Sequence, residues 1–143
     1  MSKDMHQFAV RTRWKEGGRG LITREGEEHF EFSSPKEFAG EDVGLTPEHM
    51  FVGSISSCHM LTFLFFIKKI DVSLKAYHTD AVGKVEKGPK GYFFSKVTLN
   101  TTVTVGQGDR DKTTNALKKG HKYCLVTNSI KCPVETVFEV NEG

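Results

Sequence analysis

Cysteine is scarce in this chain: three residues in 143, an odd number with no Cys-x-x-Cys spacing. That excludes a disulfide-stapled scaffold and removes the usual zinc-ribbon signature. Charge of one sign is also missing. Twenty basic and 18 acidic residues are spread along the chain for a formal +2, so no basic stripe marks a nucleic-acid binder. The longest apolar run, Met60 to Ile67, is interrupted by Thr62 and falls short of the roughly 20 residues that cross a bilayer. It reads as part of a core helix, and no membrane partner is expected. Met1-Ser2-Lys3-Asp4 carries no apolar stretch behind a basic start, so a cytoplasmic address is the expectation. No repeat or low-complexity linker divides the sequence, and residues 1–143 are expected to form a single domain.

What is present reads as alternating short elements. From Gln7 to Trp14, Phe8, Val10, Thr12 and Trp14 alternate with arginines, the period of a strand. Gly17-Gly18-Arg19-Gly20 supplies a turn, and Leu21–Thr23 and His29–Phe32 read as returning strands. Thr46-Pro47-Glu48 is a helix start: a capping Thr, Pro at the first position and an acid in the first turn. The helix is expected to run to about Lys69, with Phe51, Ile55, Cys58, Leu61 and Phe65 on its apolar side. Val72–Glu86 and Tyr92–Val105 flank Lys87-Gly88-Pro89-Lys90-Gly91 and read as a long hairpin. Asp109 is placed to cap a second helix whose inner face carries Leu117, His121, Cys124, Leu125 and Asn128, weakened by Gly120. A last strand presents Ile130, Cys132, Val134, Thr136, Phe138 and Val140 on one face. Meander, helix, hairpin, helix and strand make an α+β fold in which two main helices pack on antiparallel sheets.

Two cysteines fall on the inner faces of the two expected helices, and that arrangement can bring Cα atoms within the roughly 4.4–6.8 Å span of a disulfide. Cys58 and Cys124, 66 positions apart (124 minus 58), are therefore a plausible redox pair, although each alone is also what a buried core cysteine looks like. Burial raises a thiol's pKa, and a mid-helix position offers no dipole to lower it, so a reactive Cys58 calls for a neighbouring cation. Cys132 fits the apolar alternation of the last strand and is assigned to the core.

Pro35-Lys36-Glu37-Phe38-Ala39-Gly40, Thr46-Pro47-Glu48-His49-Met50-Phe51 and Ser57-Cys58, followed by Cys124-Leu125-Val126-Thr127-Asn128-Ser129-Ile130, form an ordered set. The set resembles the osmotically inducible protein C and organic hydroperoxide resistance family over nearly the whole chain. One departure is Leu125, which stands where that family usually has a proline. The resemblance implies an intertwined homodimer and a thiol peroxidase acting on organic hydroperoxides. In it, Cys58 attacks the peroxide and becomes a sulfenic acid, Cys124 resolves it, and an external dithiol, often protein-bound dihydrolipoamide in that family, restores the pair. It also implies an arginine on the thiolate and a glutamate holding that arginine. Glu48 matches the glutamate, though an acid in a first helical turn is stabilising by itself, by about 0.3–1 kcal/mol. Arg19 best matches the arginine; Arg11, Arg13 and Arg24 are the other candidates. His59 departs from the family's aromatic or small residue; it either tunes the Cys58 thiol or faces another side of the helix, the second being the preferred reading.

No cofactor is expected. A metal site built from His121 and Cys124 with Cys58 or Cys132 is the weaker reading, because His-x-x-Cys is a loose signal. The stronger rival is a protein of the same fold that keeps both cysteines without peroxidase turnover and acts as a redox-sensitive binder of an apolar ligand.

Overall fold

A computed structural model describes residues 4–25, 27 and 29–143. Met1-Ser2-Lys3, where a leader was looked for, lies outside the described residues. Two compact units follow one another, Met1–Phe51 and Val52–Gly143.

The first unit is an antiparallel meander of β1 (Arg11–Glu16), β2 (Arg19–Thr23) and β3 (Phe30–Ser33). β1 starts four residues later than the alternation from Gln7 predicts, and Phe8 is 92% exposed, so the period-2 pattern there has no second layer to face. Gly17 takes a φ of +49°, which suits glycine, at the β1–β2 turn. At Gly20 the ring of Phe32 closes over the backbone: an added Cβ would stand 2.5 Å from its Cζ. The helix starts where Thr46-Pro47-Glu48 predicts. Thr46 is buried, its Oγ1 accepts the His49 N–H at 3.1 Å, and α1 (Pro47–Ile67) begins at Pro47.

In the second unit, β4 (Leu74–Gly88) and β5 (Gly91–Val105) form the long hairpin, and α2 (Arg110–Lys122) leads to β6 (Val134–Glu142). Val97, Leu99, Thr101, Val103 and Val105 are all buried on the expected face of β5. The α+β class with two main helices is as expected, but the second sheet is mixed. β6 pairs parallel to β5, from Val97 opposite Val134 to Val105 opposite Glu142, because α2 carries the chain back to the starting end. The core gathers Phe63 and Ile67 of α1, Val103 and Val105 of β5, Ala116 and Leu117 of α2, and Val140 of β6.

Three details of the helices differ from expectation. α1 is apolar on all sides, yet the stripe it buries in this chain is Ile55, His59, Phe63 and Ile67; Leu61 is 60% and Phe65 53% exposed. Asp109 makes no side-chain cap on α2, since its Oδ2 accepts the Ser73 N–H at 2.9 Å instead. And α2 ends at Lys122, with Tyr123 capping it, so Cys124, Leu125 and Asn128 do not share a helical face: Cys124 is fully buried while Leu125 is 68% exposed. Gly120, expected only to weaken α2, lets it approach α1 closely, because a Cβ there would lie 3.3–3.4 Å from the backbone of Phe63 and His59. Ile130 and Cys132 precede β6 and are half-buried, so Cys132 is not the core residue it was taken for.

Candidate active site

The middle of α1 and the turn after α2 bring two sulfurs together. Cys58 is part-buried four residues before Thr62, whose hydroxyl donates to the Cys58 carbonyl at 2.7 Å and stands 4.0 Å from its sulfur. The chain after α2 turns tightly: the Asn128 N–H donates to the Cys124 carbonyl at 3.0 Å, and the Ser129 N–H to the Val126 carbonyl at 3.0 Å. Cys124 sits at the head of this turn, and its Sγ accepts the Thr127 N–H at 3.5 Å. The Cys124 thiol and the backbone N–H groups of Leu125 and Val126 are near enough to the Cys58 sulfur to influence its ionisation.

These contacts make the sulfurs unequal. Burial pushes the Cys58 thiol up, but the donors together outweigh it and hold the group below the ordinary cysteine range. Val126 N–H contributes most, followed by the Cys124 thiol, the Thr62 hydroxyl and Leu125 N–H. Thr62 has one hydroxyl proton, directed to the Cys58 carbonyl, so the amides and the second thiol matter most. Cys124 moves the other way. Burial raises it, and the neighbouring Cys58 raises it further against the lowering effect of Thr127. The Thr127 hydroxyl is buried there without a well-formed hydrogen bond, so the Thr127 amide is the firmer contact. The two shifts run in opposite directions, favouring negative charge at Cys58 and the proton at Cys124.

Beside the sulfurs lies a contact that was not anticipated. His59 is buried against α2, where its Nε2 meets His121 Nδ1 at 3.0 Å. Its own Nδ1–H donates to the Ile55 carbonyl at 2.9 Å, so neutral His59 accepts at Nε2 and His121 donates. Burial holds His59 below its usual range, helped by His121 and opposed by the Ile55 carbonyl. The signal was available in the spacing of four that runs Ile55, His59, Phe63, Ile67. Among the described residues, no group of three or more His, Cys, Asp or Glu side chains is placed to hold a metal ion.

The other expected site residues lie in the first unit. Arg19 donates from Nε to Glu41 Oε1 at 2.9 Å, with Glu31 at 3.6 Å and Glu16 at 4.0 Å. The hydrogen bond to Glu41 raises the arginine further above its ordinary value, and the Gly18 N–H and Arg19 hold the Glu41 carboxyl low. Arg19 is therefore braced by glutamates other than Glu48 in this chain. Glu48 stands in the first turn of α1, with Oε1 buried and without a hydrogen-bond partner among the described residues.

Residues 40–139, which include Glu48 and both sulfurs, match the family model described as OsmC-like protein. The chain belongs to the OsmC-like family. A relative, the uncharacterized protein YmaD of Bacillus subtilis (strain 168), is 24% identical over 95% of this chain and 94% of its own. Among solved structures, an OsmC-like protein of unknown function from Vibrio cholerae superposes with a TM-score of 0.84. It is 24% identical, over 94% of this chain and 99% of that one. An organic hydroperoxide resistance protein from Elizabethkingia anophelis superposes at 0.73 with 20% identity, over 99% of this chain and all of that one. At these identities the likeness establishes the OsmC fold.

Proposed function

We propose that this OsmC-like protein is a thiol-dependent peroxidase that reduces organic hydroperoxides, with Cys58 as the attacking sulfur and Cys124 as the resolving one. The observation that carries the proposal is that Cys58 of α1 and the buried Cys124 after α2 are near enough to act on each other, with Cys58 lowered and Cys124 raised. The Cys58 thiolate attacks the distal oxygen of ROOH, the O–O bond breaks, and the alkoxide leaves as ROH after taking a proton. Cys124 sulfur then attacks the Cys58 sulfenic acid, expelling water and forming the disulfide. An external dithiol, such as protein-bound dihydrolipoamide, returns both sulfurs to the reduced state and is itself oxidised to a disulfide.

The working unit is proposed to be a cytoplasmic homodimer. α1 is long and apolar enough by length and composition to cross a bilayer, which the broken run Met60–Ile67 did not suggest. Four of its residues are nonetheless built into the chain's own interior and Leu61 and Phe65 are left exposed, a surface suited to a second copy rather than to lipid. Glu48, with one buried oxygen lacking a donor, is proposed to brace an arginine, with Arg19 the first choice, in that assembly.

The test is consumption of cumene hydroperoxide and of hydrogen peroxide, with a dithiol present, by the wild type and by Cys58→Ser. Dithiol-dependent turnover that favours cumene hydroperoxide and is lost in the variant is expected, together with a Cys58–Cys124 disulfide and a free Cys132 on peptide mapping. The donors that meet the Cys58 sulfur are all neutral, which keeps the redox-sensitive binder as a second reading. A disulfide that forms without turnover would favour that reading.

A further inference from the structure

α1 and α2 meet at backbone distance beside the two cysteines. A Cβ added to Gly120 would stand 3.3 Å from the Phe63 N and 3.4 Å from the His59 carbonyl oxygen, so α2 lies directly against the α1 backbone at this level. Nearer the end of α1 the Phe66 and Tyr123 rings have centroids 5.6 Å apart, and Lys119 Nζ lies 5.6 Å from the centre of the Phe66 ring. Ring contacts tolerate sliding, whereas a hydrogen bond is directional. The bond at 3.0 Å from His121 Nδ1–H to His59 Nε2 therefore fixes how far along α1 the end of α2 sits. The His59 ring is itself held, because its Nδ1–H donates to the Ile55 carbonyl one turn back.

Each histidine is attached to one of the cysteines. His59 follows Cys58 in α1, and His121 lies in the last turn of α2, where its carbonyl accepts the Cys124 N–H at 3.5 Å. We infer that His59 and His121 are positioning residues for the Cys58–Cys124 redox pair, their ring-to-ring hydrogen bond holding the end of α2 against α1 at the level of the two sulfurs. The inference rests on that proposed pairing and deepens it. In the disulfide form the S–S bond itself restrains the end of α2. In the dithiol form only non-covalent contacts restrain it, and the histidine bond is a directional one among them. Its loss frees the reduced protein more than the oxidised one. The effective concentration of one thiol at the other then falls, and the equilibrium moves toward the dithiol.

The experiment equilibrates the full-length protein with glutathione buffers at one fixed pH and reads the Cys58–Cys124 disulfide fraction by acid quench and peptide mass. In this exchange the two protein thiols are oxidised to the disulfide while one glutathione disulfide is reduced to two glutathione thiols, so the equilibrium constant follows from the buffer ratio. His121→Leu should lower that constant by about three- to tenfold, the span expected for one hydrogen bond. His121→Asn places a side-chain amide N–H near the position of Nδ1–H and should bring the constant back to within about twofold of the wild type. If His121→Leu does not fold, the double variant His59→Leu with His121→Leu leaves no nitrogen stranded and should show the same fall. A constant unchanged in a folded leucine variant, or lowered equally by asparagine and leucine, overturns the inference. A wild type that forms no Cys58–Cys124 disulfide overturns it together with the proposed pairing. Because the exchange requires no peroxide, a wild type that forms the disulfide without consuming hydroperoxide would count against the enzyme reading alone.

Discussion

Removing His121 should expose the worth of the buried histidine pair. His121→Leu deletes the Nδ1–H that His59 Nε2 accepts at 3.0 Å and strands that nitrogen in a residue only 6% exposed. An unpaired buried acceptor costs about 1–3 kcal/mol, a large part of a small protein's stability. The double variant His59→Leu with His121→Leu removes both partners and should cost clearly less than the sum of the single changes, with a coupling of about 0.5–3 kcal/mol. Urea unfolding at one fixed protein concentration measures each term, the concentration being fixed because association shifts apparent stability. The pH dependence gives a second readout. His59 is held below the ordinary histidine range, so between its folded value and about 6.5 the unfolded chain binds more protons. The stability associated with neutral His59 is complete above about pH 6.5 and is lost as pH falls through the folded value. Wild type should therefore lose stability from pH 7.5 to 5.5, and His59→Leu should lose less over the same interval. Additive single variants, or the same slope in His59→Leu, would refute the pairing.

Further outcomes follow from the same packing and site. Gly120→Leu should destabilise the protein by about 1–3 kcal/mol in the same urea assay, because its side chain must displace α1 backbone rather than a movable side chain. Cys124→Ser should stop at the Cys58 sulfenic acid with one equivalent of cumene hydroperoxide and pass to the sulfinic acid with a second, seen by mass, since no second thiol captures the sulfenic acid. Leu61→Arg combined with Phe65→Arg should convert a sedimenting dimer into a monomer without loss of helical circular dichroism, because both side chains are exposed within the chain.

Elements with a simple period or local cap chemistry could be read directly from the residues. Thr46-Pro47 fixed the start of α1 because the Thr46 hydroxyl and the ring of Pro47 act locally, and β5 was legible because Val97 to Val105 alternate over one buried face. α1 defeated the same reasoning: a helix apolar on every side has no preferred face, so Leu61 and Phe65 read as core while His59 did not. Cys124 and Leu125 fitted a 3.6 period with Leu117 and His121, but that period continues on paper past Tyr123, where the hydrogen bonds of α2 stop. The direction of β6 was invisible because side-chain alternation is the same in parallel and antiparallel strands.

The cation expected beside Cys58 is a different case, because Arg19 belongs to the first unit, on Glu41, and Cys58 to the second. Side chains are written in a sequence, whereas the aim of a backbone N–H is not. A mid-helix cysteine has its own amide committed to the helix and gains nothing from the ends of α1, so any group that lowers it must come from elsewhere in the fold. In this chain, apart from the Thr62 hydroxyl, the groups that lower it belong to the segment that carries the second cysteine. That origin couples the two sulfurs in a way a separate arginine would not. The segment after α2 whose groups lower Cys58 also carries Cys124, whose Sγ accepts the Thr127 N–H of that same segment. On the proposed roles, lowering of the attacking thiol and approach of the resolving thiol then depend on one segment of the fold. A thiolate of this kind is at its most reactive when the partner that limits its over-oxidation is already in contact.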